Sequence, residues 1–439
     1  MIRRIDARKA AGRKALEALR AALGAEQVMI SGAGAAGEAE AAVRRILQDV
    51  RTRGNAAVCE WTAKFDRAEV RPQTLRVPPK TIEAAYRSMP RDLLAAITRI
   101  RDSVRKFQRH ILLGDGKALK RGGRSMRLLR RPMDRVGVYV PGGKAFYPST
   151  VLMTAVPALV AGVPEVAVAC PPTAGGDVHP GVLAVCRAIG VKEVYRMGGV
   201  QAIAAFAYGT QSVRPVEKIV GPGNLYVQLA KKMVFGTVGI DSFAGPSEVV
   251  VLADDTADAR LIAADLLSQA EHDPGSAILL TPSAKLADAV VAETEKQVAG
   301  LSRAAATRAA LEKYSAVVVV ADMDAAVEQV NLFAPEHLEI QTKSPEAVLR
   351  KIRNAGAVFL GRWTPVAVGD YVAGPSHTLP TGGTARWASG LTANDFLRSM
   401  SVTEYDRKSL AADAPDIFRM ADTEGLTAHA ESVRRRLRK

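Results

Sequence analysis

The sequence predicts an α/β protein of parallel strands covered by helices, and three observations carry that expectation. From Arg135 onward, short β-branched runs alternate with amphipathic helical stretches, the pattern of successive βα units. Apolar residues make up 48% of the chain and aromatics only 5%, a balance rich in Ala and Val that suits helices on parallel strands better than a β-sandwich. The length of 439 residues exceeds what one simple core fills, so two or three packed units are expected.

Taken in order, the first strands are read at Val136–Val140, Val166–Cys170, Glu193–Arg196 and Lys218–Val220. Three of them end in glycine turns that open helices: Pro141-Gly142-Gly143, Gly198-Gly199 before Gln201, and Gly221-Pro222-Gly223 before Asn224. Such turns lie at strand C-termini, where open α/β sheets bind ligands. A second series is read at Val249–Ala253, Ala277–Thr281, Ala316–Ala321 and Ala357–Leu360. Beyond it the alternation fades into a loop rich in Gly and Thr and then terminal helices. The expectation is two α/β units joined by crossings, with a helical C-terminal arm.

Lys and Arg outnumber Asp and Glu by 60 to 45, giving a formal charge of +15. The excess lies in Arg3 to Arg20, Arg121 to Arg135 and Arg434 to Lys439, with few aromatics interleaved for base stacking. These read as solvated basic helix faces, and no nucleic-acid partner is expected. Cys59, Cys170 and Cys186 are odd in number and lack CxxC spacing, which points away from disulfides and thiolate zinc and toward a reducing, cytoplasmic setting. The repeatedly charged first residues do not read as a signal peptide. The most apolar window, Val151 to Cys170, is broken by Pro157, Gly162, Pro164 and Glu165, so it reads as helix, turn and strand and no membrane span is expected.

Gly32-Ala33-Gly34-Ala35-Ala36-Gly37 matches GxGxxG, but only Val28-Met29-Ile30 precedes it and no acid-ended strand follows its helix. It reads as a flexible Gly/Ala linker. The turn at Gly221 to Asn224 is better placed, since the helix it opens directs N–H groups where a phosphate could sit. Together with Tyr139 and Gln201 it puts three polar side chains on one sheet edge, a nucleotide site weighed evenly against structural tight turns.

Gln269 and His272 are spaced to share one helical face. Alone they describe a polar helix end. Asp370, ahead of Gly374-Pro375-Ser376-His377, and the segment Glu424 to His429 supply a carboxylate and an imidazole that would complete a site of oxygen and nitrogen ligands, suited to a metal with open positions. Pro335 interrupts a helical pattern and leaves Glu336 and His337 in a turn. A histidine there can take a proton from an alcohol and a carboxylate can activate water, although a Glu-His pair by itself carries little. Of the six histidines, His110 and His179 look like surface or helix-start residues, whereas His272, His337, His377 and His429 each stand beside Gly, Pro or a carboxylate.

In order, VGVYVPGG from Val136, GGVQAIAAFAYGT from Gly198, VGPGN from Val220, AGPSEV from Ala244, LLSQAEHDPGS from Leu266, APEHLEI from Ala334, VGDYVAGPSHTLPTGGTAR from Val368 and GLTAHA from Gly425 resemble the histidinol dehydrogenase family. The resemblance runs from about Ala41 to His429 and leaves out the N-terminal glycine run. It implies two incomplete Rossmann-like parallel-sheet domains related to aldehyde dehydrogenases, which accounts for the unused GxGxxG. The implied boundaries are 1–35 for an N-terminal basic helical segment, 36–138 with 248–391 for the main domain, 139–247 for the NAD-binding domain, and 392–439 for a helical arm swapped in a homodimer. It implies one zinc per subunit on Gln269, His272, Asp370 and His429, the last from the other subunit. Ser247, His377 and Glu424, with those ligands and Glu336 and His337, would contact L-histidinol, and Tyr139, Gln201 and Asn224 would contact NAD. The implied activity is oxidation of L-histidinol through bound L-histidinal to L-histidine with two NAD+, with zinc orienting the substrate, His337 as base and Glu336 activating water. A relative on the same scaffold acting on another polar alcohol is the rival reading; the presence of His377, Glu424 and all four ligands favours histidinol.

Overall fold

Strands read from β-branched runs in the sequence form the centre of two parallel sheets. The computed structural model describes residues 1–31, 37–142, 147–243, 245–272 and 275–438, and the side chains of 25–31 are outside that description. The Gly32 to Ala36 part of the GxGxxG run, Gly143, Ala244, Asp273 and Pro274 therefore lie outside the described residues.

The strands are β1 (Arg3–Asp6), β2 (Leu119–Arg121), β3 (Arg124–Pro132), β4 (Arg135–Tyr139), β5 (Glu165–Cys170), β6 (Glu193–Arg196), β7 (Lys218–Val220) and β8 (Gly239–Ile240), followed by β9 (Ser247–Ala253), β10 (Gly275–Thr281), β11 (Ala316–Val319), β12 (His337–Gln341), β13 (Ala357–Leu360) and β14 (Leu397–Tyr405). One parallel sheet has the order β6-β5-β4-β7-β8, half of a doubly wound dinucleotide fold. The other has the order β1-β11-β10-β9-β12-β13, also parallel throughout. Helices cover both faces, so strands such as β5, with Val166 to Cys170 all buried, are apolar without alternation. Each sheet reverses its order once, between β4 and β7 and between β9 and β12. The mixed α/β class is as the sequence predicts.

Three local expectations are corrected. The N-terminal segment is not helical alone: Arg3–Asp6 adds a parallel edge strand to β11 before the helix Ala10–Ser31 begins. The basic stretch Arg121 to Arg135 is no helix face. It forms β3, paired antiparallel with β14 over nine residues in an exposed ribbon that also holds β2. Arginines alternating with Ser, Met and Leu leave both faces of that ribbon partly wet, so it lacks the one-sided apolar pattern that marks a strand. The helical arm is thus a ribbon followed by the helices Arg407–Thr423 and Thr427–Leu437.

The helices between residues 37 and 111 also pack differently from the expected boundaries, which joined 36–138 to the second unit. Val43, Ile46, Leu47 and Val50 of Gly37–Arg53, and Ile97 and Val104 of Arg91–Ile111, bury against the five-stranded sheet and its helices. Their apolar stripes face the cores centred on β4 and β5.

A buried ion pair ties one of the glycine turns. Lys231, on the helix Leu225–Val234, is fully buried against the carboxylate of Asp241, and its ammonium also donates to the Gly221 carbonyl at 3.0 Å. Asp241 in turn accepts from the Gly221 N–H at 2.7 Å. Gly221 has φ 122°, and a Cβ there would stand 2.1 Å from the Tyr139 carbonyl oxygen, so only glycine permits this approach. Lys231→Met would leave Asp241 buried without its cation, and a loss of about 3–5 kcal/mol is expected. Urea denaturation checks this, and replacing both partners by apolar residues should restore part of the loss.

Candidate active site

The reversal between β9 and β12 brings two distant segments side by side at the amino ends of their strands. His337 pairs with Val249 in the parallel register, so Ser247-Glu248 and Glu336-His337 become neighbours. The pair is therefore not in a free turn. Pro335 does end the preceding helix Met323–Phe333, but His337 begins a central strand with every residue buried. The polar members of β12 hid it: Gln341 donates to Asp265 at 2.8 Å and to Glu339 at 2.9 Å, which lets a polar face be buried.

Glu336 is held on one oxygen. Its Oε2 accepts from the Ser247 hydroxyl at 2.6 Å and from the Glu248 N–H at 2.9 Å, while Oε1 has no hydrogen-bond partner among the described residues. Burial pushes the carboxyl up to about 7, Ser247 and the Glu248 N–H working the other way. His337 Nδ1 lies 3.1 Å from the Glu248 carbonyl oxygen. A carbonyl only accepts, so Nδ1 carries the proton and Nε2 keeps its lone pair. Burial lowers the ring's affinity for a second proton, against the raising effect of Asp370, and the neutral base form prevails near neutrality.

Glu248 is the residue that motif reading missed. Its side chain accepts from the Glu336 N–H at 3.3 Å and from the Gly382 N–H at 3.0 Å, while its backbone serves Glu336 and His337 as above. Glu248 and Glu336 are 88 residues apart in sequence, and only a sheet prediction naming β9 and β12 as neighbours would have found the contact.

Around His337 a cavity of about 460 Å³ is lined by Asp370 and His377 and walled by Phe107, Phe359 and Leu391. Phe107 comes from a helix packed on the other sheet, so the cavity lies between the two units. The segment around His377 is tied across the same junction by the Ser376 hydroxyl, which donates to the Met153 carbonyl at 2.8 Å. His377 Nδ1 stands 4.0 Å from Asp370, and burial holds its ring down to about 4. Asp370 is pushed up by burial and opposed by the fields of His337 and His272.

Gln269 and His272 come from the end of the helix Ala259–Ala270. The Gln269 amide is buried and its Nε2 has no partner. Turned by half a rotation, that amide offers its oxygen at the same point. An amide with an unpartnered nitrogen, an imidazole and the half-buried Asp370 carboxylate fit a divalent cation that takes oxygen and nitrogen ligands. His429 and Glu424 do not join them within one chain. Both are exposed on the C-terminal arm, and no group of three or more His, Cys, Asp or Glu able to hold a metal occurs among the described residues.

At the carboxyl edge of the five-stranded sheet, the Tyr139 hydroxyl accepts from the Gly199 N–H at 3.2 Å, joining the ends of β4 and β6. Gln201 is buried with its Oε1 unpartnered. Asn224 caps the helix Leu225–Val234 by accepting from the Val227 N–H at 3.2 Å. They stand beside the β4/β7 reversal, where open α/β sheets bind ligands, and the glycine turn and the unpartnered Gln201 oxygen fit a dinucleotide.

A burial effect gives a pH prediction. The Glu248 carboxyl is raised from 4.5 to about 8 chiefly by burial, then by the neighbouring Glu336 carboxylate. The folded chain therefore holds this proton more tightly than the unfolded one, and the stability it lends below pH 4.5 is lost as pH rises toward about 8. Glu248→Gln should flatten the fall of the thermal midpoint across that window, as measured by scanning fluorimetry at stepped pH.

Comparison with known proteins gives the family of the chain. The family model described as histidinol dehydrogenase matches residues 32–437. A histidinol dehydrogenase of Rhodopirellula baltica is 53% identical over 391 residues, covering 89% of this chain and 85% of that one. One of a Synechococcus strain is 49% identical over 398 residues, covering 90% and 92%. The crystal structure of histidinol dehydrogenase from Elizabethkingia anophelis superposes with a TM-score of 0.87 at 36% identity, covering 90% of this chain and 91% of that chain. An acetylating aldehyde dehydrogenase from Geobacillus thermoglucosidasius is more distant, at TM-score 0.48 and 14% identity over 84% and 97% of the two chains. With a match over nearly the whole chain and relatives near half identical, the protein belongs to the histidinol dehydrogenase family.

Proposed function

We propose that the protein oxidises L-histidinol, through L-histidinal retained in the site, to L-histidine, with two NAD+ consumed. The observation that carries this reading is the pairing of Glu336, held on one oxygen, with a His337 whose Nε2 keeps its lone pair and which lines the cavity together with Asp370 and His377, in a chain of this family. Tyr139, Gln201 and Asn224 would hold NAD, which would supply the hydride acceptor, and Gln269, His272 and Asp370 with His429 of a second copy would hold zinc, which would supply a Lewis-acidic anchor for the substrate.

His337 takes the hydroxyl proton as the carbinol carbon gives up hydride, leaving the aldehyde. Its Nδ1–H, fixed on the Glu248 carbonyl, keeps the ring aimed as Nε2 gains charge. Glu336, with Oε1 free and its carboxyl shifted toward neutral pH, is suited to take a proton from the water that adds to the aldehyde. His337, having released its first proton to solvent, then removes a hydroxyl proton from the hydrate as the carbon gives up the second hydride. The aldehyde stays enclosed by Phe107, Phe359 and Leu391, which limits its loss to side reactions.

The exposure of Glu424 and His429 supports a homodimer in which each arm reaches the site of the other copy. The ribbon of β3 and β14 exposes Leu128 and Met400, and the helices beyond it expose Met420 and Leu426, apolar surface that a second copy would cover. No helix among the described residues is long and apolar enough to cross a membrane. The three free cysteines, two of them buried, accord with a cytoplasmic setting.

Incubating zinc-loaded protein with limiting L-histidinol and excess NAD should yield two NADH per histidinol. No turnover of histidinol, with turnover of another amino alcohol, would replace the substrate. Glu336→Gln should slow oxidation of added histidinal by about a hundredfold or more while slowing the alcohol step less, as read by single-turnover absorbance. Equal losses in both steps would refute the division of roles. Chelation should remove activity and zinc restore it.

A further inference from the structure

The second strand of the five-stranded unit, β5, runs into Cys170-Pro171-Pro172 and has no acid at its carboxyl end. In dinucleotide folds a carboxylate near that point hydrogen-bonds the adenosine ribose of NAD. Here a carboxylate reaches the same edge from outside the sheet. Asp66 is the last residue of the helix Asn55–Asp66, which Arg67 closes in the left-handed region at φ 54°. Its Oδ2 stands 3.5 Å from Gln201 Nε2, a long contact. A Cβ on Gly198, ahead of the helix Gly199–Tyr208, would meet the Pro171 ring at 2.4 Å and the Asp66 Oδ1 at 3.3 Å, so the bare glycine, Pro171 and the carboxylate stand together at this edge.

The charge of Asp66 is felt at Tyr139 and Cys170, the last residues of β4 and β5. Among the described residues no cation acts on it, and burial alone raises the carboxyl to about 6. The group has given up water without gaining a strong partner, a cost that hydroxyl donors from a ligand would offset.

We infer that Asp66 reads the adenosine ribose, accepting hydrogen bonds from the two ribose hydroxyls of NAD and repelling the 2′-phosphate of NADP. This rests on the NAD reading above. A vicinal diol can donate twice to one carboxylate. A 2′-phosphate has replaced one donor by two negative charges, set against Asp66 in a partly water-excluded crevice.

Calorimetric titration of the zinc-loaded full chain with NAD and with NADP tests the role without relying on turnover. The unsubstituted protein should prefer NAD. Asp66→Asn should weaken NAD by about tenfold and shift the NAD to NADP affinity ratio toward NADP by about tenfold or more. Unchanged NAD affinity, or a fall with no relative gain for NADP, would overturn the inference, since a merely structural role weakens both cofactors alike. Should Asp66→Asn not fold, Asp66→Glu keeps the charge while moving it, and should weaken NAD without admitting NADP. Failure of the unsubstituted protein to bind NAD at all would instead overturn the NAD reading and this inference with it.

Discussion

Parallel pairing of β9 with β12 is the constraint on which the rest of the site depends. It sets Ser247 and Glu248 against Glu336 and His337, residues that the chain otherwise keeps far apart. Glu248 then works as a hub: its N–H, carbonyl and carboxyl each hold a different part of the pair or of the 382 turn. A slip of one residue in this register would turn these side chains to the opposite face of the sheet. The chemistry is therefore secured by backbone register more than by any single side-chain bond, and the apolar run Val249 to Ala253 with Leu338 and Ile340 pins that register from within the core.

The two reversals of strand order sit at opposite kinds of edge. In the five-stranded sheet the crevice lies at carboxyl ends, beside Tyr139 and the Gly221 turn, as open α/β sheets generally arrange it. In the six-stranded sheet the acid–base pair lies at amino ends, where Ser247 and His337 each begin a strand. The helix carrying Phe107 and the segment around His377 meet there, so His337 at the amino edge faces a cavity at the junction of the two units.

Much of this was legible in the residues. β-branched runs bounded by turns gave eight of the strands of the two parallel sheets within a residue or two, because those strands are apolar on both faces and helices separate them. Glu336 and His337 stood out by residue type. Their strand did not, since Glu339 and Gln341 are buried polar groups satisfied by one another and by Asp265, and periodicity counts such residues as surface. The ribbon of β3 and β14 failed for the reverse reason: exposed on both faces, it carries no apolar stripe. Glu248 and Asp66 were invisible because their roles arise only from contacts between segments distant in sequence. Charge counting likewise could not separate the solvated arginines of β3 from Lys231, whose ammonium is buried.

That buried lysine has a consequence for heat. The cost of stripping water from an ion pair falls as temperature rises, whereas the stabilisation per unit of apolar area levels off. The Gly221 turn is tied by Lys231 and Asp241 from both its N–H and its carbonyl, while the surrounding unit coheres by contacts among Val, Ala and Ile. On warming, the tie should hold relative to its apolar surroundings, and the turn should keep its shape while neighbouring helices begin to loosen.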